Sequence, residues 1–200
     1  MRRLGIIHMS TDKPELKKRL TRLAAAKKHG RGSTVVRLAL AGHLRKLRPG
    51  VYRPADREIW MNQGLLDACA AVPEGVICLV SALAYYGLTT TIPNAVWMAI
   101  PRNAWTPQLT FPSRFIRMGD KAFEAGIETI RIEGKRIRIY GKAKTVCDAL
   151  RFRDKVGVEV ALEALKTFLR QGGRPDELIR WETVCRVRGM LRPYLEAMLA

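Results

Sequence analysis

The chain has 200 residues, 48% of them hydrophobic, and carries a formal net charge of +18 at pH 7. This length and apolar content suffice for one or two compact domains with a sizeable core, which excludes a disordered chain. The longest strongly apolar run, 76–88, is shorter than the roughly 20 residues that span a bilayer, and the apolar patch at the start is too short for a secretory signal. We therefore predict a cytoplasmic protein that does not bind membranes.

The positive charge is concentrated near the N-terminus. Residues 1–57 contain 16 Lys/Arg against 3 Asp/Glu, a net of +13, whereas residues 58–200 contain 20 against 15, a net of +5. Such a segment favours polyanions, because each phosphate of duplex DNA that it neutralises releases counterions. A solvated basic tail is the alternative, but leucines and valines at regular spacing within 1–57 favour a small folded core.

A helix is predicted first, at Pro14–Lys28, with leucines on one stripe and Gly30 after its end. Ser33 can cap a second helix that Gly42 terminates, and the HGRG between the two helices has the length of a helix-turn-helix turn. The Arg48-Pro49-Gly50 sequence that follows is typical of a type II turn in a short hairpin. The order of these elements predicts a winged helix-turn-helix at 1–57.

The polar, proline-containing stretch 54–64 is expected to connect this domain to a second one at 58–200. There we predict helices at 65–72 and 75–87, strands at 95–100 and 114–118, a hairpin of 127–132 with 136–140, and helices at 144–153, 156–171, 175–187 and 191–199. The predicted fold class is therefore α+β: an N-terminal winged helix-turn-helix followed by a mixed domain with a short antiparallel sheet and a helical C-terminal half.

The candidate DNA contacts fall into two groups. A recognition helix inserts its N-terminal part into the major groove while neighbouring cations grip phosphates. On the helix we expect contacts from Arg31, Ser33, Thr34 and Arg37, and on the wing from Arg45, Lys46, Arg48 and Arg53. Arg37 is the candidate for base reading, because arginine bonds bidentately to guanine; a plain phosphate contact is an equally weighted alternative.

An enzymatic alternative rests on Asp120, Glu133 and Lys135, which match a loose metal-dependent nuclease pattern. That chemistry needs the carboxylate and the lysine on one strand, facing the same way, whereas Gly134 between them predicts a hairpin turn. We therefore favour a structural role for these residues.

No catalytic residue, metal site or cofactor is predicted. Residues 58–200 contain no histidine, so the commonest general base is missing there. Cys69, Cys78, Cys147 and Cys185 are widely spaced and are expected to be buried free thiols. An RNA-binding protein without catalytic activity is a further alternative, for which the basic segment alone would suffice.

Three phrases of the second domain resemble the AbiEi family of antitoxins, and GHLRKLRPGVYR resembles the end of that family's winged helix. The phrases are SALAYYGLTTTIPNAVWMAIPR (81–102), IRIYGKAKTVCDALRFRDKVGVEVALEALKTFL (137–169) and CRVRGMLRPYLEAML (185–199). Two departures stand out: Tyr86 occupies a position where histidine is common in the family, and the N-terminal domain is one helix short before Pro14.

The resemblance implies the antitoxin of a bacterial or archaeal toxin-antitoxin system of the abortive-infection, phage-defence type. The N-terminal domain would bind double-stranded operator repeats and repress the protein's own operon, with self-association on the DNA. The second domain would counteract a nucleotidyltransferase-like toxin, without a catalytic group of its own.

Overall fold

The structure, a computed structural model, describes residues 32–55 and 62–199, with side chains from 35 to 55 and from 62 to 198. By their contacts these residues divide into two units, 32–45 with 53–55 and 46–52 with 62–199. The predicted helix Pro14–Lys28 and the candidate DNA contact Arg31 lie outside the described residues. The winged helix-turn-helix and the domain boundary after residue 57 therefore stay predictions.

The first unit contains helix α1 (Gly32–Leu40), which ends in a glycine cap. The Gly42 N–H donates to the Ala39 carbonyl (3.1 Å) and the His43 N–H to the Leu38 carbonyl (3.0 Å), the hydrogen-bond pair of a Schellman motif. Gly42 has φ +78°, where a side chain would strain the backbone. The predicted end of this helix is confirmed, but the helix begins at Gly32, so Ser33 lies in its first turn rather than at its N-cap.

A two-stranded hairpin follows, formed by β1 (Leu44–Arg48) and β2 (Val51–Pro54). Proline fixes φ of residue 49 near −65°, and Gly50 has φ +78°, as the third position of a type II turn requires. The predicted hairpin is confirmed.

The second unit is built on one five-stranded sheet in the order β5-β4-β3-β7-β6. Its strands are β3 (Val76–Ile77), β4 (Val96–Pro101), β5 (Ser113–Met118), β6 (Ile127–Ile132) and β7 (Lys135–Tyr140). The β3–β4 and β6–β7 pairs are antiparallel, whereas the β4–β5 and β3–β7 pairs are parallel. The α+β class with short antiparallel pairing is confirmed, and the sheet also contains parallel pairs that the sequence did not predict.

Both faces of this sheet are buried, because successive side chains of a strand point to opposite sides. One face carries Ile77, Met98 and Ile137 and packs against α2 (Gln63–Ala71). The other carries Trp97 and Tyr140 and packs with the residues around α4 (Asp120–Glu124).

The C-terminal half is helical, as predicted, with α5 (Lys142–Arg151) packing against α3 (Leu79–Tyr85) and against α7 (Val158–Arg170). The remaining helices are α6 (Arg153–Val156), α8 (Pro175–Ile179) and α9 (Arg188–Leu199). Gly157, with φ +98°, separates α6 from α7.

Two predicted helices are wrong in extent. The predicted helix 75–87 is the short strand β3 followed by α3, because Val76 and Ile77 pair with neighbours that are distant in sequence. The predicted helix 175–187 stops at Ile179, and turns then carry the buried Cys185 and Val187 into the core. Among the described helices, none has the length and apolar content needed to cross a membrane.

Candidate nucleic-acid interface

The candidate contacts on α1 are only partly described. Arg37 is exposed, one turn before the end of the helix, and its carbonyl accepts a hydrogen bond from the Ala41 N–H (2.9 Å). Ser33 and Thr34 belong to the first turn of α1. Arg37 is thus available to solvent, as a contact to DNA requires.

The four candidate cations of the hairpin differ in exposure. Arg45 and Lys46 are exposed on β1, at neighbouring positions whose side chains point to opposite faces of the strand. Arg48 is half-buried, and its Nε is buried with no hydrogen-bond partner among the described residues. Arg53 is half-buried on β2, and its Nη1 donates to the Pro54 carbonyl (3.0 Å). Arg45 and Lys46 are therefore the cations of this hairpin best placed to meet a phosphate.

The middle of the hairpin is anchored in the second unit through Leu47. Its side chain is 1% exposed and packs in the cluster that contains Leu66, Met98 and Ile137. The Thr110 N–H donates to the Leu47 carbonyl (2.9 Å), and the Thr110 hydroxyl lies 2.5 Å from the Lys46 carbonyl. The backbone under Lys46 is therefore fixed, although the side chain is free to reach outward.

A polar cleft of about 420 Å³ lies elsewhere in the second unit, beside the start of α5. Its lining includes Tyr86, Glu128, Lys142, Arg180 and Trp181. The Tyr86 hydroxyl donates to Glu128 Oε2 (3.2 Å), and burial together with this carboxylate raises the pKa of Tyr86 well above its usual range. Both carboxylates, Glu128 and Glu177, and cations, among them Lys142 and Arg180, line the cleft.

A buried ion pair lies within α5. Lys144 Nζ is 2.5 Å from Asp148 Oδ2, with both side chains essentially inaccessible to solvent, and it also lies 3.4 Å from the centroid of the Tyr140 ring. The Tyr140 hydroxyl donates in turn to the Phe123 carbonyl (2.8 Å). This chain of contacts ties α5 to the end of β7 and to α4.

The cysteines are free thiols, as predicted, and three of the four are buried; Cys69 is half-buried. Burial raises the pKa of Cys69 to about 11 and that of Cys147 to about 12, the latter assisted by the negative charge of Asp148. Thiols with pKa values this high are protonated at neutral pH and are poor nucleophiles and metal ligands.

The three residues of the nuclease pattern lie on different elements. Asp120 is the first residue of α4, and Lys135 begins β7. Glu133 and Gly134 form the β6–β7 turn, with φ values of +49° and +75° and with Ile132 paired to Lys135 across it. The predicted turn is confirmed. Within 32–55 and 62–199, no three His, Cys, Asp or Glu side chains are grouped so that they could hold a metal ion.

Sequence reasoning missed Thr110, the residue that binds the hairpin backbone. It lies 63 residues after Leu47 in an irregular segment, and no local pattern marks it. The Lys144–Asp148 pair has the i,i+4 spacing of a helical ion pair, but such spacing is usual on exposed helix faces and did not indicate burial.

No protein-family model matches the chain, and no curated protein matches it.

Proposed function

We propose that the protein is a DNA-binding repressor that also acts as the antitoxin of a bacterial or archaeal toxin-antitoxin pair of the AbiE type. It binds double-stranded operator DNA upstream of its own reading frame and represses the operon. It also counteracts a nucleotidyltransferase-like toxin encoded beside it.

The observation that carries DNA binding is the exposure of Arg45 and Lys46 on a short hairpin, inside a segment of net charge +13. Exposed arginine and lysine neutralise phosphates and give an affinity that depends steeply on salt. Arg37, exposed on α1, is a third exposed cation of this segment.

The antitoxin half rests on the resemblance of the second domain to the AbiEi family. The three segments that carry this resemblance all contribute to one hydrophobic cluster: Leu83 comes from the first, Leu165 from the second and Leu191 from the third. This shared hydrophobic cluster supports the inference that the three segments belong to one domain.

A footprint on the DNA upstream of the protein's own reading frame tests repression. We expect protected repeats at low salt, with RNA of equal length competing poorly against the duplex. Absence of protection at low salt contradicts DNA binding, and equal competition by RNA favours the RNA-binding alternative instead.

Co-expression tests the antitoxin half separately. Expression of an adjacent nucleotidyltransferase-like reading frame should arrest growth, and co-expression of this protein should restore it. Growth arrest that persists in the presence of the folded protein contradicts the antitoxin role and leaves the repressor role standing.

A further inference from the structure

Lys46 of the hairpin has an exposed side chain, but its backbone carbonyl is hydrogen-bonded to Thr110. The Lys46 side chain is exposed, whereas its carbonyl accepts a hydrogen bond from the Thr110 hydroxyl at 2.5 Å. The next carbonyl, that of Leu47, accepts from the Thr110 N–H at 2.9 Å. One residue of the segment between β4 and β5 therefore holds two consecutive peptide groups of β1.

We propose that Thr110 is a positioning residue of the DNA interface, which fixes the β1 backbone so that Lys46 meets a phosphate at a defined place. This role rests on the DNA binding proposed above. Thr110 touches no DNA itself and acts through the hairpin that it holds.

The segment that presents Thr110 is itself anchored. Leu109 and Phe111, on either side, pack against the same hydrophobic cluster that buries Leu47. The hydrogen bonds therefore join two backbone stretches that are each fixed by apolar burial. Leu47 is fixed by its burial, and Thr110 adds hydrogen bonds to the Lys46 and Leu47 carbonyls.

A β1 backbone that is already fixed in the free protein favours binding, because a flexible one would have to become ordered when DNA binds. A basic loop that is mobile in the free protein loses conformational entropy when it grips DNA, and preorganisation removes that cost. The benefit is greatest for operator DNA, where each contact must fall at a given position; a phosphate contact on random DNA tolerates a shifted lysine.

The matched variants are Thr110→Val and Thr110→Ser, because valine removes the hydroxyl at nearly constant shape and serine keeps it. Binding of the full-length protein is measured on a duplex from the region upstream of its reading frame and on a random duplex of equal length. We expect Thr110→Val to weaken binding to the upstream duplex by about threefold to tenfold, the factor that one net hydrogen bond supplies, with a smaller change on the random duplex. Thr110→Ser should bind as the wild type does.

A measurement without DNA accompanies the binding assay. Amide hydrogen exchange of residues 44–54 should be faster in Thr110→Val than in the wild type and in Thr110→Ser, while the thermal midpoint of the whole protein falls by no more than about 2–4 °C. Unchanged affinity of Thr110→Val for the upstream duplex overturns the positioning role, whatever its exchange rates. So does a Thr110→Ser variant as weak as Thr110→Val, since the hydroxyl would then be irrelevant.

The two proposals fail differently. If the wild type binds neither duplex at low salt, DNA binding is wrong and this role falls with it. If the wild type binds the upstream duplex and Thr110→Val binds it equally well, only the role of Thr110 is overturned.

Discussion

The ammonium group of Lys144 lies 2.5 Å from the carboxylate of Asp148, one turn further along α5, and neither side chain is more than 1% exposed. Charges that are buried together are tolerated when each compensates the other, and removal of one partner leaves an uncompensated charge in the core. Replacement of either residue alone should therefore destabilise the second unit.

Replacement of Lys144 alone should be strongly destabilising. We expect Lys144→Met to lower the free energy of unfolding by about 3–5 kcal/mol, measured by chemical denaturation, because Asp148 then remains buried without its cation. The double variant Lys144→Met/Asp148→Leu should recover most of this loss. Lys142→Met, which changes an exposed lysine in the same helix, serves as the control and should change stability by less than about 0.5 kcal/mol. A mild effect of Lys144→Met would show that the pair is not buried as described.

Truncation of Leu47 should destabilise the second unit, although the residue lies in the hairpin. Leu47→Ala removes a side chain that is 1% exposed and should cost about 2–4 kcal/mol in the free energy of unfolding. Arg45→Ala, on the same strand and exposed, should cost little. Equal denaturation midpoints for the two variants would mean that the hairpin does not pack into this core.

Gly126 and Gly134 both have a left-handed backbone, but only Gly126 has close neighbours, so alanine at the two positions separates the effect of packing from that of backbone strain. Their φ values are +71° and +75°, so alanine at either position strains the backbone by about 1 kcal/mol. A Cβ at Gly126 would also lie 2.6 Å from Lys144 Cδ and 2.8 Å from the Trp181 ring, whereas a Cβ at Gly134 would meet nothing within 4 Å. We expect Gly126→Ala to be clearly less stable than Gly134→Ala in urea; equal midpoints would contradict the close approach of Lys144 and Trp181 to Gly126.

Stability should depend on pH through Glu163. Its carboxylate accepts hydrogen bonds from the Thr89 hydroxyl (2.6 Å) and from the N–H and hydroxyl of Thr90 (both 2.9 Å). These bonds, that of Thr89 first, hold the pKa of Glu163 below its ordinary value of 4.5. The unfolded chain therefore binds the proton first, so the stabilisation is complete above about pH 4.5 and is lost as the pH falls through the lower folded value.

The Thr89→Val variant tests this dependence. The difference in unfolding free energy between wild type and Thr89→Val should be largest near neutral pH and should shrink as the pH falls below about 4.5, the ordinary pKa of a glutamate. A difference that is the same at pH 7 and at about pH 3 would contradict a charged Glu163 as the acceptor.

Turns, which depend on neighbouring residues, could be predicted from the sequence, whereas a strand that depends on pairing with distant segments could not. Gly42, Pro49-Gly50 and Glu133-Gly134 mark their turns because each meets a specific backbone requirement, and those turns are present. The strand Val76–Ile77 is two residues long and owes its conformation to β4 and β7 on either side, so no local pattern could reveal it.

The candidate site divides in the same way. The exposure of Arg37, Arg45 and Lys46 follows from their charge and was expected. Arg48 is half-buried, and Thr110 hydrogen-bonds to the Lys46 carbonyl. Both depend on the burial of Leu47 in a cluster built from segments distant in sequence, which no local pattern reveals. The exposure of the hairpin cations could be predicted from composition, but the hydrogen bonds of Thr110 to the Lys46 and Leu47 carbonyls could not.

The most direct test of the central claim is the salt dependence of binding to the DNA upstream of the protein's own reading frame. The variant Arg45→Ala/Lys46→Ala is compared with Lys166→Ala/Arg170→Ala, which removes two exposed cations from α7. We expect the hairpin variant to bind at least tenfold more weakly and to show a slope of log K against log salt reduced by up to about two, while the α7 variant binds as the wild type does. Equal affinities and equal slopes for both variants and the wild type would contradict the account.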